Sequence, residues 1–318
     1  MSGARAFWAV GPGRGELRAA ELPEPGPGDV RVRMVASGVS RGTERLVLRG
    51  RVPESEHGRM RCPFQEGEFP FPVKYGYCAV GVVEDGPRAG ERVFVLHPHQ
   101  DRFVVPGSWA TRIPGDVPDA RATLAANMET ALNVLWDAEA PQGARIAVVG
   151  AGVVGLLVAC LARGMLGAAP LVVDPEPGRV ALARELGLAA SDVPAGEHEV
   201  VVHASGNPDG LVAALSIAAF EGRIVEASWF GDRPVALPLG GAFHSRRLSI
   251  VASQVGHVAR AMRATTTHAQ RLARALELLA DPRLDLLLGP RVAFADLPSR
   301  LPALLEDNPA RPHVVVDY

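Results

Sequence analysis

Residues 148–155 read Val-Val-Gly-Ala-Gly-Val-Val-Gly, which sets Gly150, Gly152 and Gly155 in a G-x-G-x-x-G spacing. The apolar run Arg145-Ile-Ala-Val-Val149 precedes it, and a helical stretch from Val153 to about Leu166 follows. In a strand–turn–helix unit each glycine has its own task. Gly150 permits the tight turn, Gly152 lets backbone approach a pyrophosphate, and Gly155 lets helix and strand pack closely. The N–H groups opening the helix, at Val153 and Val154, then face the phosphates. In a chain with 34 glycines such spacing alone is weak. It gains weight from a second apolar run, Leu171-Val-Val173, which ends at Asp174. That acid stands near the ~20-residue offset at which a carboxylate hydrogen-bonds an adenosine ribose. The pattern predicts a dinucleotide site. A carboxylate there accepts from both ribose hydroxyls and repels a 2′-phosphate, and the next residue, Pro175, supplies no cation, so NAD(H) is favoured over NADP(H). Arg179 is placed to cover the adenine face or to cap the helix that follows.

A chain of 318 residues has room for two domains of ordinary size. Its net charge of −2 argues against nucleic acid or an anionic membrane as partner. No uninterrupted apolar stretch reaches the ~18–20 residues that span a bilayer. The N-terminal residues through Trp8 begin a strand and lack a signal peptide's apolar core and cleavage site. Cys62, Cys78 and Cys160 are too widely spaced for a disulfide framework or a zinc ribbon. A cytoplasmic protein acting on a small molecule is the expectation.

Residues 1–120 read as strands and loops. Val30-Arg-Val-Arg-Met-Val35 alternates with period two, Gly76 to Val83 reads as another strand, and Arg92-Val-Phe-Val-Leu96 as a third. Residues 50–72, rich in Pro, Gly and charge, suggest a long surface loop or lid. From Arg121 the texture turns helical, with few breakers between Ala122 and Ala138. Strands are expected near 145–149, 171–174, 200–203, 223–227 and 248–252, separated by helical or glycine-punctuated segments. That alternation argues an α/β fold with a parallel, doubly wound sheet. An amphipathic helix over 268–280 and a strand at His313-Val-Val-Val316 follow.

With these elements in place, the chain resembles the medium-chain dehydrogenase/reductase superfamily along nearly its whole length. The likeness rests on Pro27-Gly-Asp-Val30, Ala36-Ser-Gly-Val-Ser-Arg-Gly-Thr-Glu44, Gly90-Glu-Arg-Val93, Ala147–Gly155, Asp174 to Gly187, Val202-His-Ala-Ser-Gly206 and Gly222-Arg-Ile-Val225, in the family's order. The resemblance implies a β-rich, GroES-like catalytic domain over 1–130 and 257–318. It encloses a Rossmann NAD-binding domain over 131–256. Thr130 and Ser205 are then expected beside the cofactor. Alcohol dehydrogenases of this superfamily hold a catalytic zinc on a Cys after the Gly-Val pair, a His in a Gly-His-Glu triplet, and a third Cys or acid. Here those positions hold Ser40 (or Arg41), Gly76-Tyr77-Cys78, and a residue near Ala126. The structural-zinc cysteines are missing too. Zinc needs three ligands converging at ~2.0–2.3 Å, so the expected chemistry is zinc-independent. Ser-x-Gly-Thr-Glu with Gly-Tyr is similar to the bacteriochlorophyllide hydroxyethyl dehydrogenase branch, which implies hydride transfer to or from a carbonyl.

A proton must still move to or from the alcohol oxygen, from a group within ~2.6–3.2 Å of it. The candidates are Tyr77, His97, Glu129 and Ser40. Tyr77 takes the lost histidine's place; Lys74 lies three residues before it and would favour phenolate if close, though strand geometry sets the two on opposite faces. Packing is the alternative role for Tyr77. His97 aligns with a pocket-lining position and has a pKa suited to exchange near neutrality. His99, after Pro98, reads as a surface-loop histidine. Glu129 sits among Leu124, Met128, Ala131 and Leu132, where burial would raise its pKa; a solvated helix face is the alternative. Glu44 reads as structural. His57, Cys62, Cys78 and His97 together form a remote candidate for an irregular metal site.

The leading expectation is a zinc-independent NAD(H)-dependent oxidoreductase acting on a carbonyl or secondary alcohol. A quinone or enoyl reductase and a catalytically silent NAD(H)-binding sensor are the alternatives. A homodimer is expected through an apolar edge strand within Arg223 to Pro238, with Trp229 and Phe230 beside it.

Overall fold

The computed structural model describes residues 3–318; residues 1 and 2, where the first strand was expected to begin, lie outside the described residues. The chain forms two compact units. One runs to Ala126 and takes in Leu276–Pro309 and His313–Tyr318; the other comprises Asn127–Ala275 with Ala310–Pro312. The return to the first unit thus comes at Leu276, where the sequence reading put it at 257. The helix His268–Leu278 spans the change.

The second unit is built on a six-stranded sheet whose neighbours are all parallel. Across the sheet the strands run Ala189–Ser191, Leu171–Val173, Ile146–Val149, His198–His203, Ala218–Glu226 and Ser249–Ala252. In chain order this is 3-2-1-4-5-6, the doubly wound arrangement whose direction of winding reverses between the first and fourth strands. There Val149 stands opposite His203 in register. Helices Val153–Leu166, Pro177–Glu185 and Pro208–Ile217 connect the strands. The strands read as unbroken apolar runs because a parallel sheet is covered on both faces. Ala147, Val149, Val201, Ile224, Leu211, Leu215 and Leu248 share one buried cluster.

The expected edge strand is not at the edge. Ala218–Glu226 lies inside the sheet, and Ser249–Ala252 is outermost. Residues 235–238 form no strand; Phe230, Val235 and Leu237 pack as partly buried residues against the cluster just described.

The first unit has two sheets. Four strands, Arg14–Ala20, Ala4–Gly11, Val73–Lys74 and Glu66–Gly67, make one; seven, including Asp29–Val39, Ala79–Val83, Arg92–Val95, Leu288–Ala293 and His313–Asp317, make the other. The strand His313–Asp317 enters between Leu288–Ala293 and Asp29–Val39. A cluster of Val30, Val32, Met34, Val83, Val93, Val95, Phe103 and Val105 fills its core. Gly76–Cys78 is not strand, which begins only at Ala79. Gly76 has φ +122°, outside the range a strand residue adopts. The helix expected from Ala122 is broken into Asp119–Ala122 and Ala125–Ala138. Within 50–72 the pair Glu66–Gly67 joins the four-stranded sheet, so part of that segment is anchored. Among the described residues no helix is long and apolar enough to cross a membrane.

Candidate functional site

In the second unit the three glycines meet three different constraints. Gly150 has φ +109°, and a Cβ on it would come within 2.7 Å of the Ser205 amide nitrogen. A Cβ on Gly155 would lie 1.9 Å from the Gly150 carbonyl oxygen, so helix and turn are in direct contact there. A Cβ on Gly152 would meet nothing within 4 Å. The turn is therefore closed where it packs and open where a ligand would approach. Gly152 caps the helix Val153–Leu166, and the first N–H groups of a helix, here those of Val153 and Val154, have no intrahelical acceptor. This cradle fits a pyrophosphate.

Asp174 directly follows the second strand of this unit and is half-buried. Its Oδ2 accepts from the Ala151 amide at 2.7 Å and its Oδ1 from the Glu176 amide at 3.0 Å. The acid thus ties the glycine turn to the neighbouring strand. Each carboxylate oxygen has two acceptor sites, so capacity for a ribose hydroxyl remains. Arg179 is buried on the helix Pro177–Glu185. Thr130 is partly exposed on Ala125–Ala138, and Ser205 is exposed just beyond His203 at the carboxyl end of the sheet.

Glu129 is buried, as the apolar neighbours suggested, but it is not solitary. Arg271 Nε donates to its Oε1 at 3.0 Å, and the same guanidinium donates to Asn133 Oδ1 at 2.6 Å and the carbonyls of Val255 and His257. Burial raises the Glu129 pKa while Arg271 opposes the rise. The result is a clamp between a helix and a turn. Sequence reasoning missed Arg271, whose signal was an arginine on the buried stripe of an amphipathic helix, beside Leu272, Ala275 and Leu276.

In the first unit Ser40 precedes the helix Arg41–Leu48, and its amide donates to Glu44 Oε1 at 2.7 Å. Glu44 Oε2 lies 3.0 Å from His99 Nε2, and His99 Nδ1 lies 2.7 Å from Ser37 Oγ, which in turn meets Tyr318 Oη at 3.0 Å. His99 is therefore a buried network residue, not a surface-loop one; Phe7 donates its amide to the His99 carbonyl and holds the segment inside. Burial pushes the Tyr77 phenol well above its usual pKa, and the neighbouring Ser40 and Thr43 hydroxyls oppose part of that rise. Lys74 does not favour phenolate: it is buried and bound to Glu66 and Gln100. His97 also departs from expectation. Its ring stacks on Phe103 at 3.8 Å between centroids, its Nδ1 meets the Pro98 carbonyl, and burial lowers its pKa to about 3. It stays neutral near pH 7 and is no exchanger there.

The family's catalytic zinc does not fit this donor set. Ser40 and Tyr77, at two positions that the resemblance assigns to ligands, place hydroxyls beside one another. Burial pushes the Cys62 thiol up to about 12 and Cys78 well above its usual range. Among the described residues no three His, Cys, Asp or Glu side chains group as metal ligands, so His57, Cys62, Cys78 and His97 are not brought together as a site.

A parallel sheet in this strand order, a glycine turn open to helix N–H groups and an acid directly after the second strand define a Rossmann-type dinucleotide-binding protein. No family model matches the chain. It is 31% identical over 267 residues to 2-desacetyl-2-hydroxyethyl bacteriochlorophyllide A dehydrogenase of Cereibacter sphaeroides, spanning 74% of this chain and 77% of that protein. An uncharacterized zinc-type alcohol dehydrogenase-like protein of Haemophilus influenzae is 30% identical over a shorter 138 residues, 39% of this chain and 40% of that one. The chain belongs to the medium-chain dehydrogenase/reductase family. The fold agrees with RspB of Escherichia coli, crystallised with NADH, at TM-score 0.78, 20% identity and full coverage of both chains. It also agrees with a zinc-binding dehydrogenase of Sinorhizobium meliloti, bound to NADP, at TM-score 0.77, 20% identity and full coverage of both.

Proposed function

We propose that this protein is an oxidoreductase that passes hydride between NAD(H) and a carbonyl or secondary alcohol, and that it does so without zinc. The observation that carries the reading is that one chain holds both an open dinucleotide cradle at Gly152 and a hydroxyl cluster, Tyr77–Ser40–Thr43, at positions that the family resemblance assigns to metal ligands. A bound nicotinamide supplies or takes the hydride. The chain's own residues bind it and manage the proton. Helix N–H groups at Val153 and Val154 meet the pyrophosphate, and Asp174 accepts from the adenosine ribose.

Tyr77 acts as the general acid. Its raised pKa keeps the phenol protonated at neutral pH, which suits donation to an alkoxide, a stronger base than phenolate. Ser40 and Thr43 orient that hydroxyl and relay a proton from water to the phenolate that donation leaves. This assignment favours carbonyl reduction as the direction in which the site works best.

The test is oxidation of NADH against a panel of ketones, aldehydes, quinones and enones, with dialysed protein assayed for zinc. Turnover of a carbonyl at far less than one zinc per chain, reduced about a hundredfold in Tyr77→Phe with NADH affinity unchanged, is expected. Stoichiometric zinc or chelator-sensitive turnover would overturn the metal-free mechanism; reduction confined to enones or quinones would move the reading to C=C reduction.

A further inference from the structure

His203 closes the strand His198–His203 at the point where the sheet reverses its winding, opposite Val149 on one side and Glu226 on the other. Its imidazole is fully buried. Nδ1 lies 2.7 and 2.9 Å from the two carboxylate oxygens of Glu226, and Nε2 lies 2.6 Å from Ser205 Oγ. A carboxylate only accepts, so Nδ1 carries a hydrogen and Nε2 of the neutral ring must accept. The Ser205 hydroxyl therefore donates inward to Nε2. One of its lone pairs takes the Asn207 amide at 3.1 Å. The other belongs to an exposed residue at the carboxyl end of the sheet, where open α/β sheets bind ligands.

The surroundings are built around this arrangement. A Cβ on Gly210 would lie 2.4 Å from Ser205 Oγ and 2.8 Å from His203 Nε2, so only glycine lets the helix Pro208–Ile217 approach. The Ser205 amide nitrogen sits against Gly150, so the serine borders the phosphate turn itself. Ser228 completes the cluster: its amide donates to Glu226 Oε1 at 2.7 Å and its Oγ accepts from the Gly206 amide at 2.9 Å.

Ser205, His203 and Glu226 stand in the order of a hydrolytic triad, but the donors such a triad requires are missing. The Gly206 and Asn207 amides are already engaged by Ser228 and by Ser205, and no pair of N–H groups in this turn is left for an oxyanion. The geometry points to another role. We propose that His203 is a positioning residue for the cofactor, locking the Ser205 hydroxyl as a hydrogen-bond acceptor for a ribose hydroxyl of the nicotinamide dinucleotide. The proposal rests on the nicotinamide reading given above.

The experiment is NADH titration by fluorescence on the full chain, with His203→Asn, His203→Gln and Ser205→Ala. Asparagine keeps a donor for Glu226 but has nothing at the Nε2 position; glutamine has an acceptor there. His203→Asn and Ser205→Ala should each weaken NADH binding about tenfold, the double variant no further, and His203→Gln should recover most of the loss. Absence of NADH binding by the unchanged protein would refute the nicotinamide reading itself. Binding by the unchanged protein with Ser205→Ala within twofold of it would overturn the role of His203. Ser205→Ala leaves the buried His203–Glu226 pair intact and so separates binding from folding. Labelling of Ser205 by a fluorophosphonate would overturn the proposal in favour of a nucleophile.

Discussion

Arg271 Nε reaches Glu129 Oε1 at 3.0 Å across 142 residues of sequence, and both side chains are buried. The pair joins the helix Ala125–Ala138 to the turn at 255–257 through one guanidinium. Removing the arginine strands a buried carboxylate, a loss that costs roughly 3–5 kcal/mol when one partner of a buried pair is deleted. Arg271→Leu should lower the unfolding free energy by that amount in urea, and adding Glu129→Leu should restore part of it. A single variant within 1 kcal/mol of the parent would show that the clamp contributes little.

The glycine turn makes a contrast that binding and melting can separate. Gly155→Ala forces a methyl into the Gly150 carbonyl oxygen, so both thermal stability and NADH binding should fall. Gly152→Ala meets no protein atom, so the melting temperature should hold while affinity drops, because the methyl fills space meant for a phosphate. Equal effects in the two variants would contradict this division.

Asp174 should set cofactor preference. NADH is expected to bind at least tenfold tighter than NADPH, about 1.4 kcal/mol, and Asp174→Ala should narrow the gap. Asp174 also anchors the Ala151 amide, so a melting curve must accompany the titration. Equal affinities in the unchanged protein would remove the acid from this role.

Acid should destabilise the fold through two histidines. His97 and His313 are buried, each held down to about 3 from an ordinary value near 6.5. Between those values the unfolded chain binds more protons, so their stabilisation is present above about pH 6.5 and is lost as pH falls toward 3. Burial raises the carboxyl pKa of Glu129 and Asp137, which work in the opposite sense at the lower end of this window. The urea midpoint should therefore already fall between pH 6.5 and 5, and His97→Phe should flatten that decline. An unchanged midpoint over this interval would mean that neither histidine resists protonation.

Assembly is expected through the strand Ser249–Ala252, the partly exposed outer edge of the parallel sheet. An uncovered strand edge pairs readily with a second copy. Light scattering at micromolar concentration should give about twice the 33.6 kDa chain mass, and Ile250→Pro should give the single mass. A monomeric parent protein would refute the pairing and leave the cofactor site untouched.

What the sequence revealed and what it hid follow the range of the interactions. The turn at Gly150–Gly155 was legible because its constraints act within a few residues, and the strands of the second unit because burial on both faces writes itself as apolar runs. The edge was misplaced because strand order is a long-range property; nothing in 223–238 tells that another strand lies outside it. His99 was misread because Pro98 argues against strand while saying nothing of Glu44 and Ser37, which reach the ring from far along the chain. His203 ends the run Val200-Val-Val without a break in pattern, and a histidine finishing a buried strand was the signal that a partner such as Glu226 had to exist. Tyr77 was singled out by its position in a motif, but its protonation depends on the burial and hydroxyl neighbours that the fold supplies.

The strand His313–Asp317 lies between two others in the first unit's larger sheet, with Tyr318 beyond it bonded to Ser37. That placement sets an order of events during synthesis. The second unit is almost contiguous in sequence, and its six strands have all left the ribosome well before residue 313 is made. The first unit must wait, with Asp29–Val39 and Leu288–Ala293 lacking the strand that joins them. A stalled or prematurely ended chain would therefore present a finished nucleotide fold attached to an open sheet, a species that quality-control proteases can recognise by its unpaired edges.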